Sequence, residues 1–476
     1  MPDRRILVAL TLLAAASRLV WALVVHPTRD FIFKDMSAYV THAQRLIAHG
    51  FDPDRTMAFV AWGTHTLLAA PLALFGADAF VPAAILWALL GAAAVPLTYL
   101  LACRVCSSPR IAALVGLAAL LWYPNLAYSG LFLSETPLLC FLTAAVWRLV
   151  VLIQDGRGAL SCGLLCAVCF ALRPEVALGF ALVLGLWLVL GPQRRAATPR
   201  HVLLALLPGV LALAFSLWHF HRHTGRWGLA ESARANLTPA RCHHPWVQAF
   251  DRPAELARGP DLKGGRIYGV VYFFELRERG DRWFGLHPAF GTTKAALEID
   301  GPAGPFPVRV SKDGISLQFV GHRADPQIHA AIQRACITRT GWLGQLKISL
   351  SNLAGLWFFN HQWPDSTRGG EPFLPWSNAF IHLFRWLVWI PSLLGVAWSL
   401  RHARQRPGLA VCALPLVGLL IVAAIWFGEI RLRTPYDPLA LLLAAEAYAL
   451  VARTITGSHR HAPDADLRPS HRGSDG

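Results

Sequence analysis

Apolar runs recur along the chain at Ile6–Val25, Val81–Ala102, Ile111–Tyr128, Pro137–Ile153, Leu160–Leu172, Val176–Leu190, Val202–Phe220, Ala379–Leu400, Leu409–Phe427 and Pro438–Val451. At about 1.5 Å of rise per residue, most of these runs are long enough to cross a bilayer, and together they predict an all-α polytopic membrane bundle of about ten transmembrane helices. Thr64–Phe75 is also apolar but short for a crossing, and reads as a re-entrant or interfacial helix. A different pattern follows the first run. Met36, Tyr39, Val40, Ala43, Leu46 and Ile47 recur at spacings of three and four, while Ser37, His42, Gln44 and Arg45 fall largely on the other side. That alternation predicts a helix lying on the membrane surface, with Asp35 at or next to its N-terminus, where a carboxylate also suits a plain helix cap.

The polar stretch from residue 221 onward interrupts the apolar series. Val308-Arg309-Val310 runs through Lys312-Asp313-Gly314 into Ile315–Val320 with alternating polarity, which is a hairpin signal around an Asp-Gly turn. Asp325-Pro326 then has the chemistry of a helix start. Leu346–Phe359, apolar and aromatic, is predicted to lie along the membrane surface. The expected organisation is a transmembrane module over residues 1–220 with interfacial helices, and a small α+β external insert over 221–345. An interfacial segment over 346–378, transmembrane helices over 379–452 and a disordered cytoplasmic tail over 453–476 complete it.

Composition supports the membrane class. Apolar residues make up 55% of the chain and charged residues 15%, with a mean hydropathy of +0.43. The formal charge of +16 would suit nucleic-acid binding, but the arginines are scattered in small groups between apolar runs and form no basic domain. Topology explains them better. With Arg4 and Arg5 inside, alternate connections carry Arg104 and Arg110, Arg157, Arg194 with Arg195 and Arg200, Arg401 with Arg404 and Arg406, and Arg453. The opposite set holds Asp30, Asp35, Glu135, Glu175, Glu429 and Asp437, so carboxylates are predicted to collect on the outer face. Arg18 lies within the first run and is expected to face the bundle interior, towards a carboxylate. Of the nine cysteines, Cys242 and Cys336 alone fall in the long polar segment, where a disulfide would require an oxidising compartment.

The candidate chemistry sits at the outer ends of these runs. Asp35 opens the surface helix, with Lys34 beside it and Tyr39 one turn on. Ser134-Glu135-Thr136-Pro137 begins a span and equally fits a helix cap. Arg173-Pro174-Glu175 is a tight turn whose Arg and Glu could pair with each other. Glu429-Ile430-Arg431-Leu432-Arg433 sets two arginines against the inside-positive trend. Guanidinium forks bind phosphate in a bidentate manner, so an anionic ligand is one explanation and neutralisation of Glu429 and Asp437 is the other. His65 could donate to the same phosphate or simply snorkel. Acids and arginines on one face suit a reaction between a membrane-held phosphate leaving group and an acceptor activated by a carboxylate.

In the order of these features the chain resembles the polytopic GT-C glycosyltransferases, which include the bacterial aminoarabinose transferase, the protein O-mannosyltransferases and the oligosaccharyltransferase. The matching residues are Asp35 with Tyr39, Ala43, Leu46 and Gly50; Trp62-Gly63-Thr64-His65 leading to Leu74-Phe75-Gly76; Leu133-Ser134-Glu135-Thr136-Pro137; Arg173-Pro174; and Arg431-Leu432-Arg433-Thr434-Pro435. The resemblance covers most of the first 190 residues and the last hundred, but not the soluble segment. It implies a multi-pass enzyme of the cell inner membrane, its active site facing the periplasm, that transfers a sugar from a polyprenyl-phosphate donor to a lipid, polysaccharide or protein acceptor. Asp35 would be the catalytic acid/base and Glu135 the second acid. Arg431 and Arg433 would hold the lipid phosphate, with Lys34, Tyr39, His65, Arg173, Glu175 and Glu429 contributing to substrate binding. Many relatives double the first-loop acid, whereas Met36 follows Asp35 here. No cofactor is required by this reading, and a divalent cation is left as an open alternative. Membrane lipids are the expected surroundings, with no nucleic-acid partner. Two rival classes remain: a transporter or flippase of an anionic lipid or solute, and a lipid-linked polysaccharide ligase or polymerase.

Overall fold

The computed structural model describes residues 2–32, 35–190, 198–242, eight short strands between 248 and 319, and residues 326–357, 380, 383–426, 428 and 430–455. The described chain is an α-helical membrane bundle. Six helical segments are long and apolar enough to cross a membrane: Arg4–Val25, Phe80–Val105, Glu135–Asp155, Pro199–Thr224, Pro407–Ile425 and Ile430–Ile455. Three shorter apolar helices, Pro109–Leu121, Ala159–Leu172 and Val176–Leu190, pack among them.

Local chemistry sets where these helices begin and end. Helix α1 (Arg4–Val20) is capped by the Asp3 carboxylate, which accepts from the Arg5 backbone N–H at 2.8 Å, and it continues as a π-helical turn over Trp21–Val25. Helix α2 (Asp35–His49) follows a short 3-10 turn, and α3 (Trp62–Phe75) is the short apolar helix expected from the sequence. Helix α4 (Phe80–Val105) leads to α5 (Pro109–Leu121), which starts on a Ser108 cap with Pro109 in its first turn. The predicted run Ile111–Tyr128 does not continue as one helix. It breaks at Trp122, and α6 (Tyr123–Tyr128) starts again with Pro124 in its first turn, because that proline has no N–H to offer the turn before it. Helices α7 (Glu135–Asp155), α8 (Ala159–Leu172), α9 (Val176–Leu190) and α10 (Pro199–Thr224) complete the first module, and α11 (Glu231–Cys242) is a helix with no apolar run to announce it.

The helices α12 (Pro326–Trp357), α13 (Ile390–Arg401), α14 (Pro407–Ile425), the short α15 (Ile430–Arg433) and α16 (Asp437–Ile455) follow. The span α12 consists of two helical pieces that meet at Gly341, where φ is 59° and ψ is −177°, so the amphipathic start and the aromatic end are separate pieces that part close to the division expected near residue 345. Between α11 and α12 the strands form three small antiparallel sheets. They include the expected hairpin, in which Val308–Ser311 pairs with Gly314–Phe319 through Ser311 opposite Gly314. Cys242 and Cys336 lie outside the described side chains.

With lipid outside, helix association depends on close packing more than on withdrawal from water. Helices α9 and α14 meet glycine to glycine: a Cβ on Gly418 would stand 2.6 Å from the backbone N of Gly179. Gly63, in α3, lies so close to α8 that a Cβ would stand 2.6 Å from the Ala171 carbonyl and 2.7 Å from the Leu172 nitrogen. Gly63→Ala is therefore expected to push α3 off α8 and to destabilise the protein by about 1–3 kcal/mol, the cost of overpacking a rigid contact. Thermal unfolding in detergent, compared with an equivalent change at the open Gly185, reads that effect. Arg18 is fully buried, as its place in the first run predicts, but it pairs with no carboxylate among the described residues. Its guanidinium donates to Ser17 Oγ at 2.8 Å and to the Ala119 carbonyl at 3.3 Å.

Candidate functional site

The residues singled out in the sequence come from four separate elements, and the fold brings several of them to one end of the bundle. Asp35 is the first residue of α2, Glu135 opens α7, Arg173 ends α8 and Arg431 lies in α15. Arg431 is the link. Its Nη1 donates to Asp35 Oδ2 at 2.5 Å and its Nε donates to Glu135 Oε1. Glu135 Oε1 also accepts from Arg173 Nη2 at 2.5 Å, and Arg173 Nε donates to Ser134 Oγ at 2.8 Å. Carboxylate and guanidinium thus alternate from Asp35 through Arg431 and Glu135 to Arg173. Ion pairs at the opposite end, Arg104 with Asp155 and Arg406 with Glu446, tie the helix connections there.

Exposure separates the roles within this chain of charges. The Asp35 side chain is 56% exposed, that of Arg431 13% and that of Glu135 not at all. Both guanidinium groups donate to Glu135 Oε1, while its Oε2 is buried without a hydrogen-bond partner, so in this arrangement Glu135 is a buried acid behind Arg431 and Asp35 is the acid open to solvent. It fixes Arg431 and Arg173. Glu175 stands at the margin, 3.9 Å from Arg173, so the pairing foreseen within the Arg173-Pro174-Glu175 turn is weaker than the Arg173 bond to Glu135. Burial disfavours the Arg173 charge, yet the neighbouring Glu135 and Glu175 more than offset this and hold the guanidinium above its ordinary pKa. Tyr39, one turn along α2, is buried over the same charges. Burial raises its phenol, opposed by Arg431.

Arg433 is not at this site, although the sequence paired it with Arg431. A residue two positions along a helix points away, and Arg433 is buried within the bundle. Its Nε donates to Asp437 Oδ1 at 2.8 Å, its Nη1 donates to the Leu356 carbonyl at 2.9 Å, and its guanidinium carbon lies 3.6 Å from the centre of the Phe384 ring. This matches the alternative reading in which an arginine of the pair neutralises a nearby acid. Lys34 and Glu429 lie outside the described residues.

His65 is also elsewhere. It is buried in α3 within a group of imidazoles. Its ring centre is 5.4 Å from that of His42 in α2 and 6.3 Å from that of His219 in α10, and His219 lies 4.5 Å from His223. His42 was expected on the polar side of α2, but it is only 6% exposed. The i,i+4 spacing of His219 and His223 at the end of α10 is the one feature of this group that is visible in the sequence.

The residues present do not fit a divalent cation at the Asp35 site. Asp35 and Glu135 are already matched by guanidinium groups, and among the described residues no three His, Cys, Asp or Glu side chains are grouped so that they could hold a metal ion. The arrangement provides one exposed carboxylate with a guanidinium against it, held from behind by a second acid and a second arginine. No family model matches the chain, and no curated protein or solved structure does so either.

Proposed function

We propose that this protein is an integral-membrane glycosyltransferase that moves a sugar from a polyprenyl-phosphate donor to an acceptor on the periplasmic side of the inner membrane. In this reading the three shorter helices and the segment around Ile390–Arg401 also cross, giving about ten spans, the shorter ones bridging a locally thinned bilayer. The observation that carries the proposal is the Asp35–Arg431 pair: the sole exposed acid of the charge chain is in contact with a cation that Glu135 anchors. The sugar–phosphate C–O bond breaks as the acceptor oxygen bonds to the same carbon. Asp35 takes the acceptor proton, and Arg431, released from Asp35, stabilises the departing phosphate. Arg173 supplies a second positive charge behind it.

A transporter places its ionisable groups near the bilayer midplane, whereas Asp35, Glu135, Arg173 and Arg431 gather at helix ends. The test is incubation of the reconstituted protein with polyprenyl-phosphate sugars labelled in the sugar, together with membrane extracts that supply acceptors. Label is expected in a new covalent product, with unglycosylated lipid phosphate released. Labelled lipid that crosses the bilayer chemically unchanged would replace this reading with that of a flippase.

A further inference from the structure

The four imidazoles have no part in the chemistry proposed above, and burying them together requires a reason. His42, His65, His219 and His223 are 6%, 1%, 2% and 6% exposed. Both ring nitrogens of His65, and the Nε2 atoms of His219 and His223, are buried without a hydrogen-bond partner. They come from three elements: α2, whose first residue is Asp35, then α3, then the end of α10. Around them the packing is aromatic. Phe51, just past α2, touches the rings of Phe215, Trp218 and His219, and Trp62 packs on Phe215 while its Nε1 donates to Ser216 Oγ.

The charged groups that face the cluster are already matched. On α2, Arg45 pairs with Asp54, whose carboxylate also accepts from Thr56. The Asp54 backbone N–H donates to His223 Nδ1 at 3.0 Å, so that nitrogen serves as an acceptor and carries no proton. Arg55 pairs with Glu231 of α11, and Arg222 of α10 donates to the Phe51 carbonyl. An imidazolium at His223 would face the Asp54 carboxylate, which favours it, as well as Arg222 and Arg45, which oppose it, whereas one at His65 would meet the other three imidazoles.

We propose that these four histidines form an acid-sensitive clasp that holds α2, and Asp35 with it, against α3 and α10 while the rings are neutral, and releases α2 when they are protonated. The inference goes beyond the catalytic reading and stands independently of it, since it concerns the position of a helix. Burial, reinforced by His42, His219 and His223, keeps the His65 pKa well below its ordinary value. A histidine held low in the packed state binds its proton only after release. Above about pH 6.5 both states are neutral and the clasp keeps its full strength, and below that value the released state takes protons that the packed state refuses. Several rings within a few ångströms make that loss steeper than a single titration.

The experiment is hydrogen exchange on the full-length protein in lipid nanodiscs, with peptides covering residues 35–49 compared at about pH 7.5 and about pH 5.5 after correction for intrinsic rates. Protection of α2 is expected to fall about tenfold at the lower pH, while peptides from α7 and α14 hold theirs. His65→Gln and His219→Gln should each shrink that fall, and the double variant should remove it. Because a Gln variant could loosen the packing at every pH, His65→Phe, which keeps a ring but cannot be charged, is the second test and should shrink the response as His65→Gln does. The proposal is overturned if wild-type α2 is equally protected at both values, or if the response survives in the double variant. It is also overturned if the response disappears instead with His26→Phe, a separate buried imidazole stacked between Trp21 and Phe31. Protection that rises with added zinc and falls with a chelator at constant pH would assign the rings to a metal and overturn it as well.

Discussion

Asp35→Asn is expected to abolish sugar transfer, with a loss of roughly 10²–10⁴-fold, the range ascribed to a positioned general base. The amide keeps the shape of the side chain and can still accept a hydrogen bond from Arg431 Nη1 through its carbonyl oxygen, but it cannot take a proton from the acceptor. Folding should survive. The Asp35 side chain is more than half exposed, and a pair with one partner in water contributes about 0–1 kcal/mol to stability. Arg431 keeps its bond to Glu135, and the buried face of α2, from Met36 through Tyr39 and Val40 to Ala43, is untouched. The check is the initial rate of transfer from a labelled polyprenyl-phosphate sugar, with thermal unfolding of the same preparation beside it. A folded Asn variant that transfers at the native rate removes Asp35 from the chemistry.

The bundle was legible because apolar length and the placement of arginines are properties of the chain read one residue at a time. Periodicity fixed α2 to within a few residues, and Thr64–Phe75 proved to be the short helix its length suggested. What could not be read is what depends on a second element. Arg431 and Arg433 are equivalent in the sequence, yet the rotation of α15 sends one to Asp35 and Glu135 and the other into the core. Glu135 looked like a reacting acid because nothing local reveals that the turn after α8 lays Arg173 across it. His42 was placed on the polar face by its residue type. Helix α2 has a second buried contact there, made with His65 of α3, and no spacing within α2 announces it. The break at Trp122 was available from Pro124, but an apolar run masks a proline that hydropathy alone does not register.

Arg433→Met is expected to act on stability, with a cost of about 3–5 kcal/mol, the penalty for leaving one member of a buried ion pair without the other. Asp437 is fully buried, and without Arg433 it retains Trp122 Nε1 at 2.7 Å as its remaining strong donor. The loss extends beyond one bond. Arg433 also donates to the Leu356 carbonyl near the end of α12 and lies over Phe384, so a single side chain ties α12, the approach to α13 and the start of α16. Replacing both partners, as in Arg433→Met with Asp437→Leu, should cost less than the single change, because no charge is then stranded in the core. Unfolding midpoints of the two singles and the double in one detergent give the coupling directly. The same variants separate a structural arginine from one that holds donor phosphate. If Arg433→Met keeps the native midpoint but raises the apparent KM for the polyprenyl-phosphate sugar, the residue binds substrate as its neighbour is proposed to, and the ion pair with Asp437 gives way when the donor arrives.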